Sequence, residues 1–318
     1  MTEHWTERPE GGGRFAIWLL RSIGLTFGRS VARVILYPIT LYFFFRRPFE
    51  RRVSRQFLQR AFARPATTFE VLRHIHRFAS TLLDRVFLLN DRFRGFDVRM
   101  HGVAELHQSI RPDRGALLLG SHVGSFEVLR VAAAERPDIK VRVVLDTQHT
   151  PALTRLLHAI NPDIGRNVID ASRSSTDIVL ALGEAMREGA LMTLLADRAR
   201  PHEATVVVDF FGAPAAFPVA PFLLGAVLKV PILLCFGMYH GGNRYDLYFE
   251  MFSEQLNLPR RARTAELRNV VQRYAARLEH HVRQDPYNWF NWHDFWNLEG
   301  FDAAEHPADR GAVLDASV

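Results

Sequence analysis

A short apolar run, Ala116–Leu119, is bounded by glycines and leads through a Ser-His-Val-Gly-Ser turn into a helix-forming stretch near Val128. A run of this kind is typical of a buried parallel strand, so the segment predicts a strand–turn–helix unit. His122 lies in the turn, and Glu127 follows it by five residues. Five residues of continuous helix rotate by about 500°, so the two side chains meet only if His122 precedes the helix and Glu127 opens it. The spacing therefore favours a general base and its orienting carboxylate at the carboxyl end of the strand.

The same two residues also have purely structural interpretations. A glutamate in a first helical turn often complements the helix dipole or closes a capping box. A histidine beside glycines is often a turn residue that only forms hydrogen bonds. The motif alone therefore leaves both interpretations open, and the rest of the chain has to decide between them.

Strand-like and helix-like segments alternate through the remainder of the chain, which predicts an α/β fold with a mostly parallel central sheet flanked by helices. The predicted strands are 96–100, 116–119, 141–145, 167–170, 191–196, 205–211, 232–236 and 245–251. The predicted helices are 127–134, 151–160, 176–187, 219–228 and 263–283.

The most apolar segment lies near the N-terminus, from Arg14 to Phe45. Arginines interrupt it, so it fits neither a signal peptide nor a regular transmembrane helix of about 20 apolar residues. On a helical wheel, Arg14, Arg21, Arg29 and Arg33 fall within about 120°, opposite an apolar and aromatic face. This pattern predicts a helix in a membrane interface, with a kink at Pro38. The alternative is an amphipathic helix packed on a soluble domain.

The charge and composition of the chain indicate which class of binding partner it has. Residues 14–64 contain eleven arginines and one acid, Glu50, interleaved with apolar residues, which favours anionic lipid over nucleic acid. The whole chain has a formal charge of +6, and its single cysteine, Cys235, excludes an intrachain disulfide. We expect a disordered leader at 1–13, a membrane-anchoring segment at 14–64, a catalytic domain at 65–300 and a disordered tail at 301–318. No metal site is expected, since the paired histidines His74, His76, His280 and His281 look like helix-surface residues without Cys or carboxylate partners.

Four stretches together carry a family resemblance. Gly120–Glu127 resembles the H-x4-D/E motif of the lysophospholipid acyltransferase superfamily. Leu194–Arg198, Phe210–Pro218 and Tyr287–Trp292, with the basic apolar N-terminus, are similar to the branch that contains the bacterial lipid A biosynthesis (lauroyl/myristoyl) acyltransferases. The resemblance covers about residues 15–298, and it rests on the order and spacing of the motifs. One departure is that Val219-Ala220 follows Phe217-Pro218, where glycerol-phosphate acyltransferases carry an acid, which argues against glycerol 3-phosphate as the acceptor.

The resemblance implies a membrane-bound acyltransferase that uses acyl-carrier protein or coenzyme A thioesters as donor. Its acceptor would be a hydroxyl or amine of a lipid or glycolipid. It implies that His122 is the general base and that Glu127 holds the imidazole, with no cofactor and no metal. The implied location is the bacterial inner membrane, with the catalytic domain facing the cytoplasm.

Further residues are candidates for substrate binding. Asp197 matches an acidic position of the family, with a loop-capping aspartate as the alternative. Backbone N–H groups near Gly124 and Ser125, or an arginine, are candidate oxyanion donors. Arg166, Arg173 and Arg198 are candidates for the donor's phosphopantetheine or a headgroup phosphate, although for each residue alone a solvated arginine is the favoured interpretation.

Two other functions compete with this one. A peripheral membrane protein could keep the fold as a non-catalytic lipid-binding module, although such a module has no need of both His122 and Glu127. A soluble hydrolase using Ser121 or Ser125 is disfavoured because neither serine lies in a G-x-S-x-G elbow. The aromatic cluster Tyr287–Trp296 fits either a lipid-facing surface or a C-terminal strap over the core.

Overall fold

The protein is described here from a computed structural model. It describes residues 14–110, 114–135, 139–145, 167–170, 175–199 and 203–298; the predicted leader, tail and 151–160 helix lie outside these ranges. The described helices are α1 Arg14–Arg46, α2 Pro48–Phe62, α3 Thr68–Leu89, α4 Val103–Ser109, α5 Leu129–Glu135, α6 Ser175–Arg187, α7 Ala220–Leu228 and α8 Arg263–Gln284. The described strands are β1 Asp97–His101, β2 Ala116–Gly120, β3 Val141–Leu145, β4 Val168–Asp170, β5 Leu191–Leu195, β6 Thr205–Phe210, β7 Ala213–Pro218, β8 Ile232–Gly241 and β9 Arg244–Ser253.

The described strands form one large sheet in the order β1-β9-β8-β2-β5-β3-β4. From β8 to β4 every neighbouring pair is parallel, while β9 is antiparallel to β8 and carries β1 alongside it. The predicted α/β fold with a mostly parallel sheet is therefore confirmed. The strand β7 was not predicted, because its two prolines argue against a sheet interior. It is tolerated because β6 and β7 pair only with each other, in a separate antiparallel hairpin.

The strand β2 is the buried centre of the sheet. Its register with β5 determines which residues meet at the site. Its side chains alternate between two hydrophobic cores, with Leu117 and Leu119 in one and Ala116 and Leu118 in the other. Gly120, the last residue of β2, is paired with Leu195, the last residue of β5. The residues that follow these two strands consequently leave the sheet side by side.

The C-terminal part of helix α1 presents an apolar face outwards and directs polar contacts towards the protein. Two of its arginines point into the protein: Arg29 binds the buried carboxylate of Asp84 through two N–O contacts of 2.7 Å, and Arg33 donates to the Gly242 carbonyl. The outward stripe is apolar and 45–72% exposed, and it consists of Val31, Val34, Tyr37, Leu41, Tyr42 and Phe45. The backbone of α1 leaves helical geometry at Gly28, where φ is 84°, and Pro38, the predicted position of a kink, lies inside the helix.

Among the described helices, none combines the length with the sustained hydropathy that a segment crossing a bilayer requires. The ion pair between Arg29 and Asp84 is further anchored by Tyr245, whose hydroxyl donates to the same carboxylate at 2.8 Å. The C-terminal part of α1 is therefore fastened to the α/β body by buried polar contacts, with its apolar stripe left uncovered by the described residues.

Candidate active site

The site lies where β2 and β5 end next to each other. His122 follows β2 by two residues and Asp197 follows β5 by two residues, so the strand register places them opposite each other. The Nδ1 atom of His122 is 2.7 Å from Asp197 Oδ1, and the His122 backbone N–H donates to Oδ2 at 3.0 Å. The Asp197 side chain is fully buried, whereas the imidazole is 28% exposed. A carboxylate in this position holds Nδ1 as the N–H donor and leaves Nε2 as the basic nitrogen.

The acid paired with His122 is therefore not Glu127, and the expectation that Glu127 holds the imidazole is corrected here. The Glu127 carboxylate instead forms an ion pair with Arg85, at 2.6 Å, and accepts a hydrogen bond from the Ser125 hydroxyl at 3.0 Å. The physical reason is that Phe126–Val128 forms a 3₁₀ turn packed against α3, which directs Glu127 towards that helix. The partner of the histidine comes from a neighbouring strand instead.

The tight turn after His122 does not provide the expected oxyanion donors. Gly124 has a φ of +57°, and a side chain there would collide with the Gly237 carbonyl, so this position requires glycine. The Gly124 N–H donates to the Asn288 carbonyl at 2.7 Å, and the Ser125 N–H donates to the Gly237 carbonyl at 3.0 Å. Both predicted donors are thus occupied within the protein, which corrects their assignment to substrate binding.

A C-terminal segment, residues 286–296, closes over this turn and is called the strap below. Trp289 is 1% exposed, and its indole Nε1–H donates to Asp197 Oδ2 at 3.0 Å. The next residue, Phe290, donates its N–H to the His122 carbonyl at 2.8 Å. Of the two interpretations of the aromatic cluster, the strap is the one observed. The direct role of Trp289 at the site was missed, although the Tyr287–Trp292 motif marks the segment that supplies it.

The electrostatics keep Asp197 ionised and His122 neutral. Burial alone would raise the pKa of Asp197, but contacts with His122 and the charge of Arg198 outweigh it and hold that pKa at about 2. For His122, burial and then Arg198 lower the pKa below its ordinary value of 6.5, against the opposing effect of Asp197. At neutral pH the imidazole is therefore an unprotonated base that a buried carboxylate orients.

Of the three arginines predicted to bind substrate, one lies in the described part of the chain and two do not. Arg198 is partly buried and donates to the Phe290 carbonyl at 3.2 Å, so it supports the strap from beside Asp197. Arg166 and Arg173 lie outside the described residues.

Of the four histidines expected on helix surfaces, His280 is exposed as expected, His76 is partly buried, and two are buried. His74 is fully buried, and His281 is 2% exposed and bonded to Glu250 at 2.6 Å, so the surface interpretation was wrong for both. Within the described ranges, no three His, Cys, Asp or Glu side chains gather as a metal site would require.

Two buried polar side chains next to this site along the chain have no hydrogen-bond partner among the described residues. They are the hydroxyl of Ser121, which precedes His122, and the amide of Asn291, which follows Phe290. Buried polar groups are normally paired, because leaving one unsatisfied costs about 1–3 kcal/mol. Buried groups of this kind are commonly satisfied by an ordered water or a bound ligand.

A comparison with known protein families identifies the family of the chain. The chain matches the model of the bacterial lipid A biosynthesis acyltransferase family over residues 50–297. No match was found among curated proteins. Because the match spans well over half of the sequence, the chain belongs to the bacterial lipid A biosynthesis acyltransferases and is an acyltransferase. Membership favours an enzyme over the non-catalytic lipid-binding alternative and over the hydrolase.

Proposed function

We propose that this acyltransferase moves a fatty acyl chain from an acyl-carrier protein or coenzyme A thioester to a hydroxyl or amine of a lipid A-type glycolipid. The observation that carries the proposal is the pair of a partly exposed imidazole and a buried, ionised carboxylate, 2.7 Å apart, at the carboxyl ends of two parallel strands. This pair supplies a base but no nucleophile of its own, which suits direct transfer between two substrates.

In the proposed reaction, His122 Nε2 takes the proton from the acceptor hydroxyl as its oxygen bonds to the thioester carbonyl carbon. Asp197 keeps Nδ1 protonated and stabilises the imidazolium that forms. The carbon–sulfur bond of the tetrahedral intermediate then breaks, and the imidazolium returns its proton to the thiolate. The products are an ester and a free thiol, with no covalent acyl-enzyme and no added co-reactant.

We further propose that residues 14–64 dock the enzyme on the cytoplasmic face of the bacterial inner membrane, while residues 65–300 carry the chemistry. Two features support this docking. The outward stripe of α1 is apolar and aromatic, and Phe69 at the start of α3 is also 71% exposed. The neighbouring α2 presents exposed arginines, among them Arg52, Arg55 and Arg60, suited to anionic headgroups or to an acidic carrier protein.

The chemistry is tested by replacing His122 with Ala in the full-length chain. Activity is measured as thioester-dependent acylation of lipid A precursor, with lipid products identified by mass spectrometry. We expect loss of about 10³-fold or more, because the general base is gone. A folded His122→Ala protein with wild-type activity would refute the proposal.

The docking is tested by co-sedimentation with vesicles of phosphatidylcholine, with and without phosphatidylglycerol. Val34→Glu on the α1 stripe should weaken binding, because it introduces a charge into the apolar face. The matched control is Val227→Glu on α7, since Val227 is 60% exposed and Val34 is 66% exposed. Equal binding by the two variants would contradict docking through α1.

A further inference from the structure

The H-x4-E glutamate, Glu127, has a defined set of contacts that does not include the imidazole. One carboxylate oxygen binds Arg85 Nε at 2.6 Å, and the other accepts the Ser125 hydroxyl at 3.0 Å. Both oxygens of Glu127 are thus engaged, and the contacts fix the direction in which Arg85 leaves α3. The glutamate of the motif is placed to hold an arginine.

Arg85 is available to a ligand in a way that the other guanidinium near His122 is not. Its side chain is 31% exposed, and Glu127 is its one charged partner within the described ranges. Arg198 is also only partly exposed, but it already donates to the strap carbonyl of Phe290. A partly exposed guanidinium held by a single carboxylate keeps donors free for a second anion.

The site also needs a donor for negative charge. During acyl transfer the thioester carbonyl oxygen becomes an oxyanion, and the substrates of this class carry phosphate groups. The N–H groups of Gly124 and Ser125 donate to protein carbonyls, so neither is available for such an anion. Arg85 lies against the turn that carries His122, because its partner Glu127 follows His122 by five residues and the Phe126–Val128 turn packs on α3. Its charge is also one of the contributors that lower the pKa of the imidazole.

We infer that Arg85 binds an anionic oxygen of the substrates beside His122, and that Glu127, held by Ser125, positions Arg85 for this task. The inference rests on the proposed acyl transfer. The anionic oxygen is either the oxyanion of the thioester carbonyl or a phosphate oxygen of donor or acceptor. The two sources share the chemistry of a guanidinium that donates to a charged oxygen.

The test compares Arg85→Gln, Glu127→Gln and the double variant in the full-length chain, assayed on vesicles with acyl thioester and lipid acceptor. Arg85→Gln should lower kcat/KM by about 10²-fold. Glu127→Gln should lower it less, and the double variant should be no worse than Arg85→Gln alone, because both changes disable the same group. Arg85→Lys should recover part of the loss, since it restores the charge but not the planar fork.

The kinetic constants separate the two sources of the anion. A fall in kcat with unchanged KM assigns Arg85 to the oxyanion, whereas a rise in KM for one substrate assigns it to the phosphate of that substrate. The matched control is Arg130→Gln, because Arg130 is 29% exposed and forms an ion pair with Asp91 at 2.5 Å; it should retain wild-type activity.

Two results would overturn the inference. One is an Arg85→Gln variant with wild-type kinetics; the other is a double variant whose loss is the product of the two single losses. His122→Ala is assayed alongside, so that an inactive His122→Ala with an active Arg85→Gln removes only the role of Arg85. Thermal unfolding of each variant shows whether a loss of activity is a loss of fold.

Discussion

Two histidines contact the same strap but have different environments. His74 on α3 is fully buried; its Nδ1 is 2.8 Å from the Ser54 hydroxyl and its Nε2 is 2.9 Å from the Trp289 carbonyl. His122 has one ring nitrogen on Asp197, and its other nitrogen has no partner among the described residues. Both ring nitrogens of His74 are used to hold the fold, whereas His122 keeps one for a substrate.

The difference shows that burial and full pairing, and not residue type, separate a structural histidine from a reactive one. Burial lowers the pKa of His74 to about 4, so it stays neutral and donates Nε2–H to a carbonyl. The carboxylate beside His122 counteracts part of the effect of burial and stabilises the imidazolium during turnover. The following predictions test this contrast, from the largest effect to the smallest.

The largest difference in activity is expected between two variants that each remove the Nδ1 partner of one histidine. Asp197→Asn should lower kcat/KM on the order of 10³-fold, because an amide cannot accept from all three N–H donors and disfavours the reactive tautomer. Its acid limb in the kcat/KM–pH profile should also move to lower pH, since the carboxylate raises the pKa of His122. The matched change, Ser54→Ala, should leave kcat/KM near wild type and cost about 1 kcal/mol of stability. Similar losses of activity in both variants would abolish the contrast.

The second prediction concerns stability and pH. His74 has a pKa of about 4 in the folded protein and an ordinary value of 6.5 when unfolded, so the unfolded chain binds the proton first as pH falls. The stability that neutral His74 contributes is present above pH 6.5 and is lost between 6.5 and 4, with about 2 kcal/mol gone at pH 5. Urea unfolding at pH 7.5 and pH 5 measures this loss. His74→Gln keeps an N–H donor for the Trp289 carbonyl but does not titrate. Between pH 7.5 and pH 5, the free energy of unfolding of this variant should therefore fall by about 2 kcal/mol less than that of the wild type. Identical pH dependence in both proteins would exclude His74 as the source.

The contrast also shows what could be read from the sequence and what could not. The β2–turn–helix unit and the importance of His122 follow from local pattern, because glycines and an apolar run lie within a few residues of it. The pairing with Asp197 depends on the register between β2 and β5, whose site residues are 75 positions apart. The spacing of His122 and Glu127 gives no indication that the carboxylate bound to the imidazole is that of Asp197.

For the N-terminal helix, too, the sequence predicts a local pattern but not the long-range contacts. A helical wheel defines the basic and apolar faces of α1, but it does not say which face meets the protein. That choice depends on Asp84, which lies 55 residues after Arg29 and is buried against Tyr245. Arg29 therefore satisfies a buried carboxylate, and the apolar stripe is left on the outside, where the membrane-interface interpretation needs it.

The smallest effect is expected from Trp289→Phe, which affects one histidine and spares the other. The substitution removes the indole N–H that donates to Asp197, but it keeps the backbone carbonyl that binds His74 and most of the ring packing against Phe57 and Phe210. We expect kcat/KM to fall about tenfold, because the carboxylate loses one of its orienting bonds. With fewer donors to stabilise it, the Asp197 carboxylate should interact more strongly with the imidazole and raise the pKa of His122. The acid limb of the kcat/KM–pH profile should therefore move to higher pH.

The matched control for this change is Trp296→Phe. Trp296 is also part of the strap and contacts Phe210, but its Nε1–H donates to the Phe210 carbonyl at 3.1 Å and not to the catalytic carboxylate. Both variants should lose about 1 kcal/mol of stability, and only Trp289→Phe should shift the pH profile. If the two profiles coincide with that of the wild type, Trp289 supports the fold alone, and the strap couples the two histidines only through its backbone.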